Sequence, residues 1–165
     1  MSSILFRKNN RLWVEQVSLQ QVAENFETPF YVYSMDAIKN NFNTYKAALS
    51  GQKHLICYSV KANSNIAVLQ TLVRLGSGFD IVSLGELERV LMAGGDPKKI
   101  VFSGVGKSRL EMQRALEVGI YCFNIESEAE LNLLNKVSAD MRMTAPISIR
   151  VNPDIDVKTH PYIAT

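Results

Sequence analysis

From residue 28 onward, short apolar runs alternate with amphipathic stretches. Phe30–Tyr33, His54–Val60, Phe79–Val82, Ile100–Phe102, Tyr121–Ile125 and Ile147–Val151 are rich in β-branched and aromatic residues and read as strands. Thr28-Pro29 leads into the first. Between the runs, apolar residues recur three and four apart, the spacing of a helix face. Ser34 or Asp36 caps the helix after the first strand. Ile66, Leu69, Leu72 and Val73 share a face of a helix opened by Asn65 and ended at Gly76 and Gly78. Leu84, Leu87, Val90 and Leu91 do the same after Ser83, and Ser83 with Glu86 three residues on forms a capping box. Further helices are predicted from Ser108 to Val118 and from Ser127 to Val137, the latter with Leu131, Leu134 and Val137 inside.

About six strand–helix repeats of this kind predict an α/β fold with a parallel sheet, because each crossover helix returns the chain to the same end. Their close, even spacing favours a (β/α) barrel over an open doubly wound sheet. Residues 4–17 differ. Leu5-Phe6 and Leu12-Trp13-Val14 flank Asn9-Asn10 and read as a β-hairpin of another sheet. Residues 1–27 are therefore expected to belong to a second, β-rich domain and residues 28–165 to the barrel. A closed barrel needs eight strands and typically about 250 residues. About six strands leave it incomplete with two bare edges, and the chain reads as cut rather than finished.

Lys and Arg number 18 against 16 Asp and Glu, a formal charge of +2. That balance, with no basic run, argues against a nucleic-acid partner. The start, MSSILFRKNN, lacks a signal-peptide pattern, and no run approaches the roughly 18 apolar residues of a membrane span. Cys57 and Cys122 both sit in strand-like runs without CxxC spacing and read as buried, reduced thiols. A soluble, cytoplasmic protein without a metal site is expected.

The candidate chemistry centres on Tyr58-Ser59-Val60-Lys61-Ala62-Asn63. In parallel α/β folds chemistry collects at the carboxyl ends of strands, and Lys61 follows one. No carboxylate neighbours it in sequence. A partly buried amine without a partner loses its proton more easily, and a neutral amine can form a Schiff base with a carbonyl. Taken alone, the same pattern also suits an ordinary surface lysine in a loop.

Five stretches in register extend the picture. Tyr58 to Asn63 resembles the cofactor-lysine motif of the pyridoxal-phosphate barrel decarboxylases. Thr28-Pro29-Phe30-Tyr31-Val32-Tyr33 is similar to the start of that family's barrel, and Gly78-Phe79-Asp80-Ile81-Val82-Ser83-Leu84-Gly85-Glu86-Leu87 to its next block. Arg150-Val151-Asn152-Pro153 and Thr159-His160-Pro161-Tyr162-Ile163-Ala164-Thr165 look most like the branch acting on diaminopimelate. The resemblance implies a (β/α)8 TIM-like barrel of the alanine racemase type, incomplete here. It implies pyridoxal 5'-phosphate held by Lys61 with Asp80 nearby, and Glu86, Arg150 and His160 as candidates for the supporting shell. Glu86 has the rival role in its capping box, and His160 fits an ordinary loop histidine as well as a substrate contact. The implied substrate is a small diamino acid, meso-diaminopimelate, decarboxylated at its D-centre to L-lysine, by a homodimer when full length. The family's glycine-rich phosphate loops, its acidic partner for the pyridine nitrogen and its cysteine motif lie later than residue 165. Weak cofactor binding and no turnover are thus expected of these residues alone.

Gly104-Val105-Gly106-Lys107-Ser108 imitates a phosphate-binding P-loop, but Val101 stands where GxxxxGK[ST] needs glycine. A helix start capped by Ser108 explains it. Other readings remain open: a related decarboxylase for ornithine, arginine or carboxynorspermidine, a non-catalytic pyridoxal-phosphate barrel, or an aldolase-type lysine barrel.

Overall fold

The computed structural model describes residues 4–153. The first sheet is antiparallel, with β1 Leu5–Lys8, β2 Arg11–Val14 and β3 Val17–Ser18 in sequence order. Asn9 and Asn10 turn the expected hairpin with φ of 52° and 59°, the two positive angles that a tight type I′ turn requires. The third strand and α1 Leu19–Asn25 go beyond what the spacing predicts. Ser18 caps α1 and Gln21 returns the bond, an S-x-x-Q box on a short, little-buried helix whose apolar spacing is faint. One clasp joins this sheet to α2 Met35–Ala48. The Glu15 carboxylate accepts from Ser34 Oγ at 2.5 Å and from the Asp36 amide at 2.9 Å, at the start of that helix.

The second sheet is parallel and runs β4 Cys57–Ser59, β5 Gly78–Ile81, β6 Ile100–Phe102, β7 Cys122–Ile125 and β8 Ile147–Ile149 in sequential order. A doubly wound sheet reverses its order at a switch point, whereas this one never does. That is barrel order, with α3 Ile66–Leu75, α4 Leu84–Met92, α5 Arg109–Val118 and α6 Glu128–Met141 as crossovers. Asn65, Ser83, Ser108 and Ser127 cap the four helices as expected.

Two expectations about strands need correction. Phe30–Tyr33 forms no strand, because no ladder pairs it to either sheet, and Tyr31 is 92% exposed. Among the described residues the parallel sheet therefore has five strands, not six. The second predicted strand, 54–60, shrinks to Cys57–Ser59, the part that β5 pairs.

The core lies between the sheet and its helices. Register puts Phe79 beside Ile100, and Ile81 beside Phe102 and Phe123 in one row. These side chains are buried under Leu69, Leu87, Met112 and Leu134 of the four crossover helices. The Phe102 and Phe123 rings stack with centroids 6.1 Å apart. Side chains alternate along a strand, so the intervening positions face the other way, into the lumen of the incipient barrel. They are Cys57 and Ser59 on β4, Asp80 on β5, Val101 on β6, Cys122 and Asn124 on β7 and Ser148 on β8.

Candidate active site on the lumen face

Lys61 does not continue β4 but occupies a single 3-10 turn, Val60–Ala62, immediately after it. The turn is held from several sides. The Asn63 amide donates to the Val60 carbonyl at 3.1 Å, and Tyr58 Oη to the Asn63 carbonyl at 3.2 Å. Asn63 Oδ1 accepts from the Asn65 amide at 3.0 Å. Burial, the largest cause, pushes the Tyr58 phenol above its usual range. The Lys61 side chain itself is exposed rather than part-buried, so the desolvation expected from the sequence is not supplied by the described residues. No hydrogen bond or ion pair holds its amine among them. The backbone is fixed while Nζ remains available.

Asp80 stands beside Ser59 in the ladder, at the same end of the sheet as Lys61. Its Oδ1 accepts from Ser103 Oγ at 2.5 Å, and Ser103 Oγ accepts from Asn124 Nδ2 at 2.9 Å. Three successive strands thus contribute to one polar row. Cys57 lies on the same face and, like Cys122, is half-buried rather than buried as expected. Burial, then the charges of Asp80 and Cys122, push its thiol up to about 11.

The rim of this face is tied by glutamates, including the predicted Glu86. Ser83 accepts from the Glu86 amide, but Glu86 does not complete the box by bonding the Ser83 amide. Its Oε2 instead accepts from Val82, one residue earlier, at 2.8 Å. Glu130 behaves alike, accepting from the Glu126 amide at 3.1 Å. Glu111 completes its box on Ser108 and also accepts from the Leu84 amide of the neighbouring loop at 2.9 Å. Burial raises the Glu111 carboxyl, yet its three bonds from Ser108 and Leu84 outweigh this and leave it below its ordinary value. The cap angles account for the difference. Ser83 and Ser127 are extended, with φ of −157° and −156°, while Ser108 has φ of −81°.

Arg150 also reaches the rim. Its guanidinium donates to Glu126 Oε2 at 2.8 Å, and Glu126 Oε1 accepts from the Gly104 amide at 2.6 Å. Lys107, the lysine of the P-loop imitation, is buried and occupied. It pairs with Glu130 at 2.6 Å and donates to the carbonyls of Gly104 and Asn124. It locks the loop after β6 to β7 and α6. His160 lies outside the described residues. Ser103, Asn124, Glu111, Glu126 and Glu130 are not singled out by the sequence patterns above. Their signal is position, since Ser103 and Glu126 each directly follow a strand, and S-x-x-E recurs at 83, 108 and 127. An apolar cleft of about 410 Å³ lies between α2 and the edge of β4, and its walls include Cys57 and Ser59 but neither Lys61 nor Asp80.

The family profile for the pyridoxal binding domain of pyridoxal-dependent decarboxylases matches residues 35–165. The chain belongs to this decarboxylase family. Diaminopimelate decarboxylase from Vibrio cholerae is 58% identical over 160 residues, 97% of this chain and 38% of the relative's length. The enzyme of the same name from Pseudomonas aeruginosa is 58% identical over 158 residues, covering 96% and 38%. A crystal structure of diaminopimelate decarboxylase from Helicobacter pylori, complexed with L-lysine, superposes with a TM-score of 0.84 at 49% identity, covering 87% of this chain and 36% of that one. The chain spans a little over a third of the length of the relatives it matches. Within the decarboxylase family the pyridoxal group is the shared cofactor, and the residues present fit its aldehyde end. An available amine stands at a strand's carboxyl end, on a face that also carries Ser59, Asp80 and Asn124. Among the described residues no helix is long and apolar enough to cross a membrane, and no cluster could hold a metal ion.

Proposed function

We propose that these residues form the lysine-bearing part of a pyridoxal-phosphate-dependent carboxy-lyase that converts meso-diaminopimelate to L-lysine and carbon dioxide. The observation that carries this reading is the Lys61 amine, unclaimed by any described partner, on a rigid turn at the mouth of a polar lumen. The names of the similar proteins supply the substrate. Pyridoxal phosphate, when bound, supplies the electron sink for the pair left by departing carbon dioxide. Lys61 would hold the cofactor's aldehyde end through Nζ. Asp80 offers a carboxylate to the same space. Glu86 and Arg150 act at one remove, Glu86 by holding the loop after β5 and Arg150 by holding Glu126 over the loop after β6. We place residues 1–27 in a second domain and residues 28–165 in the barrel, and expect a cytoplasmic homodimer.

The test uses the protein carrying this chain, incubated with pyridoxal phosphate and meso-diaminopimelate. L-lysine and carbon dioxide should form, and a visible cofactor band should appear. Both should vanish in Lys61→Ala, with activity falling at least about 1,000-fold. A protein that prefers ornithine or arginine overturns the substrate. One whose band survives Lys61→Ala overturns the lysine.

A further inference from the structure

A carboxylate can only accept hydrogen bonds, and a serine hydroxyl has one proton to give. With Asp80 Oδ1 at 2.5 Å, the Ser103 proton is committed to Asp80. Ser103 Oγ must then accept from its other neighbour, which sets Asn124 with its amide nitrogen toward Ser103 at 2.9 Å. The Asn124 oxygen is left facing Cys122, whose Sγ donates to it at 3.8 Å. Every proton in the row is therefore directed the same way, across β7 and β6 to β5. This pattern gives the Ser103, Asn124 and Cys122 donors one acceptor each. The chain ends on Oδ1, and no hydrogen bond reaches Oδ2 among the described residues.

We propose that Ser103, backed by Asn124, is a positioning residue for this site: it fixes the Asp80 carboxylate by one oxygen and leaves the other for the lumen in which Lys61 stands. Resting on the function proposed above, it assigns to Ser103 an effect exerted wholly through Asp80. Nothing in the sequence motif around Lys61 points to it, because Ser103 follows a strand two units away along the chain.

Two readouts test it, one with cofactor and one without. In the protein carrying this chain and loaded with pyridoxal phosphate, the visible absorbance of the Lys61-bound cofactor is titrated with pH. A nearby carboxylate favours the protonated nitrogen that joins lysine and cofactor. Asp80→Asn should lower the midpoint by about 1 pH unit, and Ser103→Ala should lower it by part of that. Ser103→Thr, which keeps the hydroxyl, should restore it. The double variant should match Asp80→Asn alone, as expected of two residues acting as one unit.

Without cofactor, the alkylation rate of Cys57 is read at fixed pH in a Cys122→Ser background. Ser103→Ala should change that rate when Asp80 is present and leave it unchanged in Asp80→Asn. A Ser103→Ala protein with an unaltered band midpoint and an unaltered Cys57 rate overturns the proposal, as do additive effects of the two substitutions. A band that is independent of Lys61, beside a Cys57 rate that still depends on Ser103 through Asp80, overturns the functional reading and leaves the positioning standing.

Discussion

Cys57 shows how the lumen acts on a single residue. Burial and the Asp80 charge hold its thiol near pH 11, against an ordinary value of 9.0. Only the thiolate is nucleophilic. At pH 8 the reactive fraction is then about one in a thousand rather than one in ten, so iodoacetamide should modify Cys57 roughly 100-fold more slowly than an ordinary thiol. The rate should climb about tenfold per pH unit up to pH 10, and peptide mass spectrometry would follow it. A rate that levels off near pH 9 removes the perturbation. At this scale the sequence is informative where chemistry is local. Lys61 is legible because it directly follows an apolar run, and Asp80 because the block Gly78–Leu87 resembles one of the family's. Ser103 and Asn124 are not, since their meaning arises only when three strands, each about 20 residues apart in sequence, come into register.

Among elements, the recurring unit is a strand, an S-x-x-E cap and a helix. Helix faces and caps are readable from spacing because each is decided within about four residues. Strand limits are not, because they depend on a partner: Phe30–Tyr33 has strand composition and no ladder. Lys107 belongs to this scale too. Its side chain is fully buried against Glu130, and breaking such a pair on one side leaves a charge without compensation. Lys107→Met should therefore cost about 3–5 kcal/mol in urea unfolding. A double variant with Glu130→Gln should recover part of the loss. Had the residue served a phosphate ligand, Lys107→Met would leave unfolding unchanged.

At the scale of the whole molecule, Glu15 ties the N-terminal sheet to the start of α2. Its carboxyl is held below the usual range, first by the Ser34 hydroxyl and then by the Asp36 amide. A lowered carboxyl stabilises the folded arrangement above the ordinary value of 4.5, and that contribution is lost as pH falls through the folded value. Trp13, the sole tryptophan, sits in β2 and reports on the N-terminal sheet. Its fluorescence should change as pH falls below about 4.5. In Glu15→Ala the clasp is absent at every pH, so the neutral-pH signal should already be altered and the acid step reduced. An unchanged acid step would show that the clasp does not hold the sheet.

The unbroken order of the parallel strands also bears on how the protein is made. They begin at residues 57, 78, 100, 122 and 147, and the principal packing pairs join each unit to the one before it. A ribosome adding about 10 residues per second delivers a new strand every two seconds or so. Each arrives beside a neighbour already emerged, whose edge it can pair at once. Order of synthesis and order along the sheet coincide, so a nascent chain of this kind has no need to wait for a distant partner before its helices find their cover.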